Sequence, residues 1–158
     1  DAYFQRDTLT IMEIAGAYKR YHAPMARTVY LGEPPQKMRD AAAIVVEGVD
    51  AALEAAKPGN ACQDVEAAWQ RTINRHGLAK ESRVGYPIGL SYPPDWGERT
   101  MSLRPGDTTE LQENMTFHLM PGIWQDDWGV AISEPFRVTP GGGERFAEMP
   151  RGLIVKDL

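Results

Sequence analysis

Two consecutive segments between residues 35 and 77 place apolar side chains at the spacing of an α-helix, and they constrain the fold more than any other feature. The first segment starts at Pro35 and ends at Lys57-Pro58-Gly59. The second starts at Asn60, with Gln63 as a weak capping partner, and ends at Gly77. The spacing predicts two amphipathic helices, each with an apolar face that must pack against another element.

Segments with β character lie on both sides of the helices. Pro24 cannot donate a hydrogen bond to a strand ladder, so it indicates a bend or an edge. Segments 84–89 and 92–97 are rich in Gly, Pro and aromatic residues and are predicted to be irregular, and 140–143 is predicted to be a turn. The predicted strands are 9–16, 18–21, 25–31, 115–120, 128–139 and 152–156. This order predicts an α+β fold, with an antiparallel sheet and the helices on one face.

Composition excludes several functional classes. The chain has 17 basic and 22 acidic residues, a net charge of −5, which argues against nucleic-acid binding. The longest apolar stretch, 41–46, is far shorter than the roughly 20 residues that a membrane span needs. Cys62 is the single cysteine, so an internal disulfide, a zinc ribbon and a CxxC pair are excluded, and burial in a helix face is expected. A cytoplasmic location is the default expectation.

A few polar residues in apolar surroundings are candidates for chemistry, although no phosphate-loop, zinc-peptidase or serine-hydrolase motif occurs. Glu13 lies between Met12 and Ile14, and Glu134 lies in the segment Ile132-Ser133-Glu134-Pro135. Such a carboxylate is paired, has a shifted pKa or is functional, unless strand alternation turns it to solvent. For His22 and His118, spacing alone favours a structural role and a functional role equally.

Aromatic and acidic residues are mixed in the second half of the chain. The group comprises Trp96, Trp124 and Trp128, together with Tyr86, Tyr92, Asp95, Asp126 and Asp127. A lining of this kind suits a small organic cation, which binds aromatic faces and carboxylates. The alternative is that the tryptophans fill the core.

Four segments, in order along the chain, resemble the creatinase and prolyl aminopeptidase superfamily. The segments are Glu13 to Thr28, Gly85-Tyr86-Pro87-Ile88-Gly89, Leu103 to Gly122, and Trp128 to Glu134. The resemblance implies the pita-bread fold, a curved antiparallel sheet with helices on one face. It also implies that 1–158 is the carboxy-terminal part of a catalytic domain that is incomplete at its amino terminus.

The superfamily's metallopeptidases bind two metal ions through two Asp, one His and two Glu, and this chain departs from that set. The matching positions hold Glu13, Pro24, Tyr86, Met120 and Ser133. Pro and Met are not ligands for hard cations, and one carboxylate does not hold two metals. The resemblance therefore implies a member that works without metal or another cofactor.

Longer stretches resemble the ectoine hydrolases, a metal-independent group in that superfamily that opens a cyclic amidine. The stretches are 13–28, 85–107 and 115–129. The resemblance implies hydrolysis of a C–N bond with Glu13 as nucleophile or general base, and His118 as proton donor or orienting group. It also implies substrate contacts from His22, Tyr86, Trp96, Trp124 and Glu134, whereas Arg27 is equally consistent with a structural role.

Two alternatives stay open: a creatinase-type hydrolase of another small C–N compound, and an inactive fragment that binds a ligand. The resemblance implies a homodimer for the full-length protein and no nucleic-acid or membrane partner. It also implies an additional catalytic histidine upstream of Asp1, so we expect little activity from the 158 residues alone.

Overall fold

The computed structural model describes residues 3–80, 82–92 and 94–157. The described residues leave out Pro93, which belongs to a segment predicted to be irregular. They also leave out the two ends of the predicted 1–158 unit. The elements are β1 (Leu9–Tyr18), β2 (Tyr21–Leu31), α1 (Gln36–Ala55), α2 (Cys62–Asn74), β3 (Gly85–Pro87), β4 (Thr116–Leu119), β5 (Gly122–Trp124), β6 (Gly129–Ala131), β7 (Glu134–Thr139), β8 (Gly142–Arg145) and β9 (Ile154–Lys156). The described residues thus confirm an α+β fold. Three sheets have the strand orders β1-β2-β9, β3-β4-β7-β8 and β5-β6, and among the strands of the described residues only β2 and β9 pair in parallel.

The first two strands form one long antiparallel hairpin in which Tyr18 pairs with Tyr21. Lys19 and Arg20 connect them with φ of 48° and 71°. A two-residue turn with positive φ at both positions matches the right-handed twist of the strands. The prediction of a strand over 18–21 is therefore wrong, because its middle is the hairpin turn.

Pro24 lies inside β2, on the side that faces away from β1. The N–H groups two residues before and after it, in His22 and Ala26, donate to Gly89 O and to Ser133 Oγ rather than to β1. The missing N–H of Pro24 therefore leaves the β1–β2 ladder intact, since residues alternate in direction along a strand. The edge suggested by Pro24 is wrong, because β2 lies between β1 and β9 in its sheet.

The helices confirm the periodicity, but the cap of α2 differs from the prediction. Ala61 precedes α2, and its N–H donates to Asp64 Oδ2 at 2.7 Å. Asn60 instead donates from its side chain to Ala55 O at 2.8 Å, at the end of α1. The same residue type that caps the start of one helix can satisfy a free carbonyl at the end of another.

The second half of the chain has more strands than predicted. The segment 84–89, predicted to be irregular, contains β3, which pairs with β4. The predicted strand 128–139 is two strands in different sheets, because the chain leaves the β5–β6 pair at Ile132-Ser133 and then joins β4. The predicted turn at 140–143 continues into β8. Strands of three or four residues have too few alternations to be recognised by period.

The core lies between the helices and the sheets. Trp69, Phe117 and Phe136 are fully buried, and the two phenylalanine rings stack with centroids 5.6 Å apart. Cys62 is buried as expected, and desolvation, followed by the charge of Asp107, raises the pKa of its thiol to about 11. None of the described helices has the length and apolar character needed to cross a membrane.

Gly48 allows α1 and α2 to approach closely. A Cβ at this position would lie 2.3 Å from Cε3 of Trp69. We predict that Gly48→Ala lowers the free energy of unfolding by about 1–3 kcal/mol, because overpacking outweighs the better helix propensity of Ala. Urea unfolding followed by circular dichroism measures the change. Gly16→Ala is the matched control, since nothing lies within 4 Å of its added Cβ. Equal stability of the Gly48 variant and wild type would contradict the tight contact.

Candidate active site

His118 is the centre of a buried hydrogen-bonded group. It lies on β4 directly opposite Tyr86 on β3, and its ring is fully buried. Nδ1 lies 2.8 Å from Tyr86 Oη, and Nε2 lies 2.7 Å from Oγ of Ser133. Because both ring nitrogens are engaged, the imidazole is held in one orientation.

Glu13 brings a carboxylate to this group from a different sheet. It lies on β1, and its Oε1 is 3.9 Å from Nδ1 of His118. Its side chain is 36% exposed, so the carboxylate remains in contact with solvent while the histidine does not. The two residues that the sequence analysis placed in catalytic roles are therefore neighbours.

A cavity of about 380 Å³ opens beside this pair, and it is lined by Glu13, Tyr86, Trp96 and Met120. Trp96 donates from Nε1 to Tyr86 Oη at 2.8 Å, which links the aromatic wall to the buried histidine. The remaining lining residues are Arg83, Pro94, Asp95, Gly97, Glu98 and Arg99. Aromatic surface, carboxylates and guanidinium groups are thus combined in one small volume.

Burial controls the proton affinity of the two buried rings. Desolvation lowers the pKa of His118 to about 3, so the imidazole is neutral near pH 7. Desolvation also raises the pKa of Tyr86, and the negative charge of Glu13 adds to that effect, while Trp96 and Arg83 oppose it. Near neutral pH the site therefore contains a neutral imidazole and a protonated phenol.

Glu134 does not line this cavity. It is fully buried, and its Oε1 accepts from Nη2 of Arg27 at 2.7 Å. Nη1 of Arg145 lies 3.9 Å from the same oxygen, and Oε2 has no hydrogen-bond partner among the described residues. Burial raises the pKa of Glu134, and the charges of Arg27 and Arg145 oppose that rise. Glu134 therefore forms a buried ion pair, and Arg27 has a structural role.

His22 and Trp124 also lie apart from Glu13. His22 Nδ1 is 2.9 Å from Arg20 O, and the residue lines a separate cavity near the hairpin turn with Tyr18, Tyr21 and Phe146. Trp124 ends β5 and is 55% exposed, with its ring against Gly129. Of the five residues predicted to bind substrate, Tyr86 and Trp96 line the cavity beside Glu13.

Comparison with known proteins shows the family of this chain. Residues 1–140 match the metallopeptidase family M24. The chain belongs to this family. Over 157 residues, 99% of this chain and 39% of the relative, it is 52% identical to the ectoine hydrolase of Halomonas elongata. It is 27% identical to the Xaa-Pro dipeptidase of Pyrococcus furiosus over 98% of this chain and 44% of that protein.

Solved structures confirm the pita-bread fold of family M24. The dipeptidase PepE of Mycobacterium ulcerans superposes with a TM-score of 0.88 at 26% identity, over 98% of this chain and 41% of that chain. The prolidase of Pyrococcus horikoshii superposes with a TM-score of 0.87 at 26% identity, over 98% of this chain and 44% of that chain. The 158 residues span about two fifths of the length of the relatives they match.

The residues of this M24 chain do not fit the metal pair that the family name implies. Glu13, Tyr86 and Met120 line the cavity, but Tyr86 and Ser133 already hydrogen bond to His118. The described part of the chain contains no group of three or more His, Cys, Asp or Glu placed to hold a metal ion. Thioether and neutral hydroxyl groups are poor ligands for the hard cations that carboxylates bind.

Sequence reasoning missed Arg83, which lines the same cavity as Glu13. Its guanidinium lies over the ring of Tyr86, with Cζ 4.7 Å from the centroid, and it has no ion pair within residues 3–80, 82–92 and 94–157. The sequence pattern did not indicate a functional role for Arg83, because a basic residue next to a segment predicted to be irregular usually faces solvent.

Breaking the buried ion pair is predicted to be costly. Arg27→Met removes the hydrogen-bonded counter-charge of the buried Glu134 carboxylate and leaves Arg145, at 3.9 Å, as a weaker partner, so we expect a loss of about 3–5 kcal/mol in the free energy of unfolding. The double variant Arg27→Met/Glu134→Leu removes the stranded charge and should recover part of that loss. Urea unfolding of both variants and the wild type measures the free energy of unfolding of each protein. A double variant less stable than Arg27→Met would contradict the proposed cause.

The neutral state of His118 is directly testable by NMR. Because the folded protein holds this pKa near 3, its ring signals should show no protonation step between pH 8 and 5. In the urea-unfolded control, the histidines should titrate near pH 6.5. The unfolded state therefore binds more protons in this range, so the His118 contribution to the free energy of unfolding falls as the pH is lowered from about 7 to about 4. A folded-state midpoint near 6.5 would refute this assignment.

Proposed function

We propose that this chain contributes the catalytic carboxylate of a hydrolase that opens a small cyclic amidine, ectoine, without a metal ion. Family membership and 52% identity to the ectoine hydrolase of Halomonas elongata support hydrolase chemistry. The observation that carries the proposal is the carboxylate of Glu13 in a small aromatic cavity, 3.9 Å from the neutral imidazole of His118.

The reaction requires a water oxygen to add to the amidine carbon and a ring C–N bond to break. Glu13 either attacks this carbon or takes a proton from the attacking water, and both roles require an ionised carboxylate. The leaving nitrogen must gain a proton, so that one water molecule is consumed in total. The product is an N-acetyl diaminobutyrate.

The cavity lining suits a zwitterion that carries an amidinium and a carboxylate. The negative charge of Glu13 matches the amidinium, and the aromatic side chain of Trp96 in the lining suits an organic cation. We assign Arg83 to the substrate carboxylate, because its guanidinium lines the cavity beside the Tyr86 ring and has no ion pair among the described residues. A site with separate cationic and anionic groups favours a zwitterion over a simple amine or acid.

Metal independence is supported by the donor set. The five positions that hold metal in the peptidases of the superfamily are Glu13, Pro24, Tyr86, Met120 and Ser133. Only one of these side chains, that of Glu13, is a carboxylate. The nucleophile must then be activated by protein groups rather than by a Lewis acid.

We predict that ectoine is opened by this chain when it replaces the matching segment of the Halomonas elongata enzyme, and that EDTA does not reduce the rate. The 158 residues alone should bind ectoine but turn it over slowly, because they span only part of the relative's length. NMR of the product measures ring opening, and calorimetry measures binding. A folded chimera that opens no ectoine would overturn the substrate assignment, and loss of activity with EDTA would overturn metal independence.

Glu13→Gln should lower kcat by at least about 100-fold, because it removes the negative charge while keeping size and hydrogen-bonding groups. Glu33→Gln is the matched control, since that carboxylate forms an exposed ion pair with Arg39. Melting temperatures of the three proteins establish that they are folded. Full activity of Glu13→Gln would refute the catalytic role. Assays of the wild type with creatine and other guanidino compounds test the creatinase-type alternative.

A further inference from the structure

The hydrogen bonds around Ser133 leave one place for its hydroxyl hydrogen. Ser133 is fully buried, and its Oγ contacts two polar atoms among the described residues. Ala26 N–H donates to it at 2.6 Å, and Nε2 of His118 lies at 2.7 Å. A backbone amide can only donate, and buried hydroxyl groups pair their hydrogens. The Ser133 hydroxyl therefore donates to Nε2 of His118.

This assignment fixes the tautomer of His118. Nε2 accepts a hydrogen bond, so it carries no hydrogen. In a neutral imidazole the hydrogen must then be on Nδ1, which lies 2.8 Å from Oη of Tyr86. Nδ1–H consequently donates to the phenol oxygen. In the opposite tautomer the buried Ser133 hydroxyl would have no acceptor among the described residues.

The phenol oxygen of Tyr86 accepts twice in this arrangement. The indole N–H of Trp96 can only donate, and its Nε1 lies 2.8 Å from Oη. With His118 and Trp96 both donating, the acceptor positions of Oη are occupied. The phenol hydrogen has no partner within this group, and Tyr86 lines the cavity that Glu13 also lines.

We propose that the hydroxyl hydrogen of Tyr86 points into the cavity and is the proton donor to the bound substrate, oriented by a relay from Ser133 through His118. The proposal rests on the proposed amidine hydrolysis. It assigns His118 as a positioning residue, because both ring nitrogens are occupied within the protein. It assigns Tyr86 as the catalytic acid rather than a passive part of the lining.

The proton transfers balance. Water adds its oxygen to the amidine carbon and gives one proton to Glu13. The C–N bond breaks as its nitrogen takes the phenol hydrogen, the hydroxyl on the former amidine carbon becomes the amide carbonyl, and its proton passes to the released amine to form an ammonium. Glu13 then returns its proton to the phenolate. The guanidinium of Arg83, 4.7 Å from the Tyr86 ring centroid, stabilises the transient negative charge.

The tautomer is measured directly by ¹⁵N NMR of the histidine-labelled 158-residue chain. We expect His118 to show a protonated Nδ1 and an unprotonated Nε2, and Ser133→Ala to allow hydrogen on Nε2. A protonated Nε2 in the wild type would overturn the relay. This readout is independent of turnover, so it decides the hydrogen-bond assignment even if ectoine is not the substrate.

The catalytic step is tested in the chimera. Tyr86→Phe should lower kcat by about 100-fold or more while KM changes less than about three-fold, because the ring still binds but no longer donates. Tyr92→Phe is the matched control, since that exposed tyrosine stacks on Arg20 outside the cavity lining. Wild-type kcat in a folded Tyr86→Phe protein would overturn the role of Tyr86. An inactive wild-type chimera would overturn the proposed function alone, and the ¹⁵N spectrum of His118 would then decide whether the Tyr86 oxygen accepts a hydrogen bond from Nδ1.

Discussion

The contact between Ala26 of β2 and Ser133, the residue before β7, connects the two sheets that carry the candidate site. Ser133 N donates to Ala26 O at 3.1 Å, and Ala26 N donates to Ser133 Oγ at 2.6 Å. Arg27 reinforces the same point by donating from Nη1 to the carbonyl oxygens of both residues. This contact joins the hairpin that carries Glu13 to the sheet that carries His118 and Tyr86. Together with the hydrogen bond from His22 N to Gly89 O, it fixes the distance between the carboxylate and the imidazole, which belong to separate sheets.

A buried ion pair between Arg27 and Glu134 lies next to this contact. Arg27 and Glu134 are nearly inaccessible to solvent, and burying two charges is favourable only when their hydrogen bonds are satisfied. Arg27 uses its donors on three kinds of acceptor: the Glu134 carboxylate, the two carbonyls of the contact, and Pro150 O. The ion pair thus fixes geometry more than it adds stability, which is consistent with its position directly behind the active-site strands.

Elements whose apolar pattern repeats over many residues could be predicted from the sequence, whereas contacts between distant parts of the chain could not. The two helices were predictable because the apolar spacing of α1 and α2 continues for several turns. β3, β5 and β8 have only three or four residues, so their pairing depends on strands far away in the chain. The same limit applies to the site. Glu13 and His118 stood out as polar residues in apolar strands, but so did Glu134, and only the position of Arg27 shows that Glu134 is paired.

The substitutions at the family's metal positions form a coherent electrostatic set. With Pro24, Met120, Ser133 and Tyr86 in place of charged or imidazole ligands, the neighbourhood of His118 contains few charges that would favour its protonation. The neutral imidazole can then both accept from Ser133 and donate to Tyr86, a pattern that a metal-bound or protonated ring could not form. Glu13 stays partly exposed, so its carboxylate keeps contact with solvent while His118 does not. A site that replaces a cation with a neutral hydrogen-bonded relay and one solvated carboxylate is suited to a substrate that brings its own positive charge.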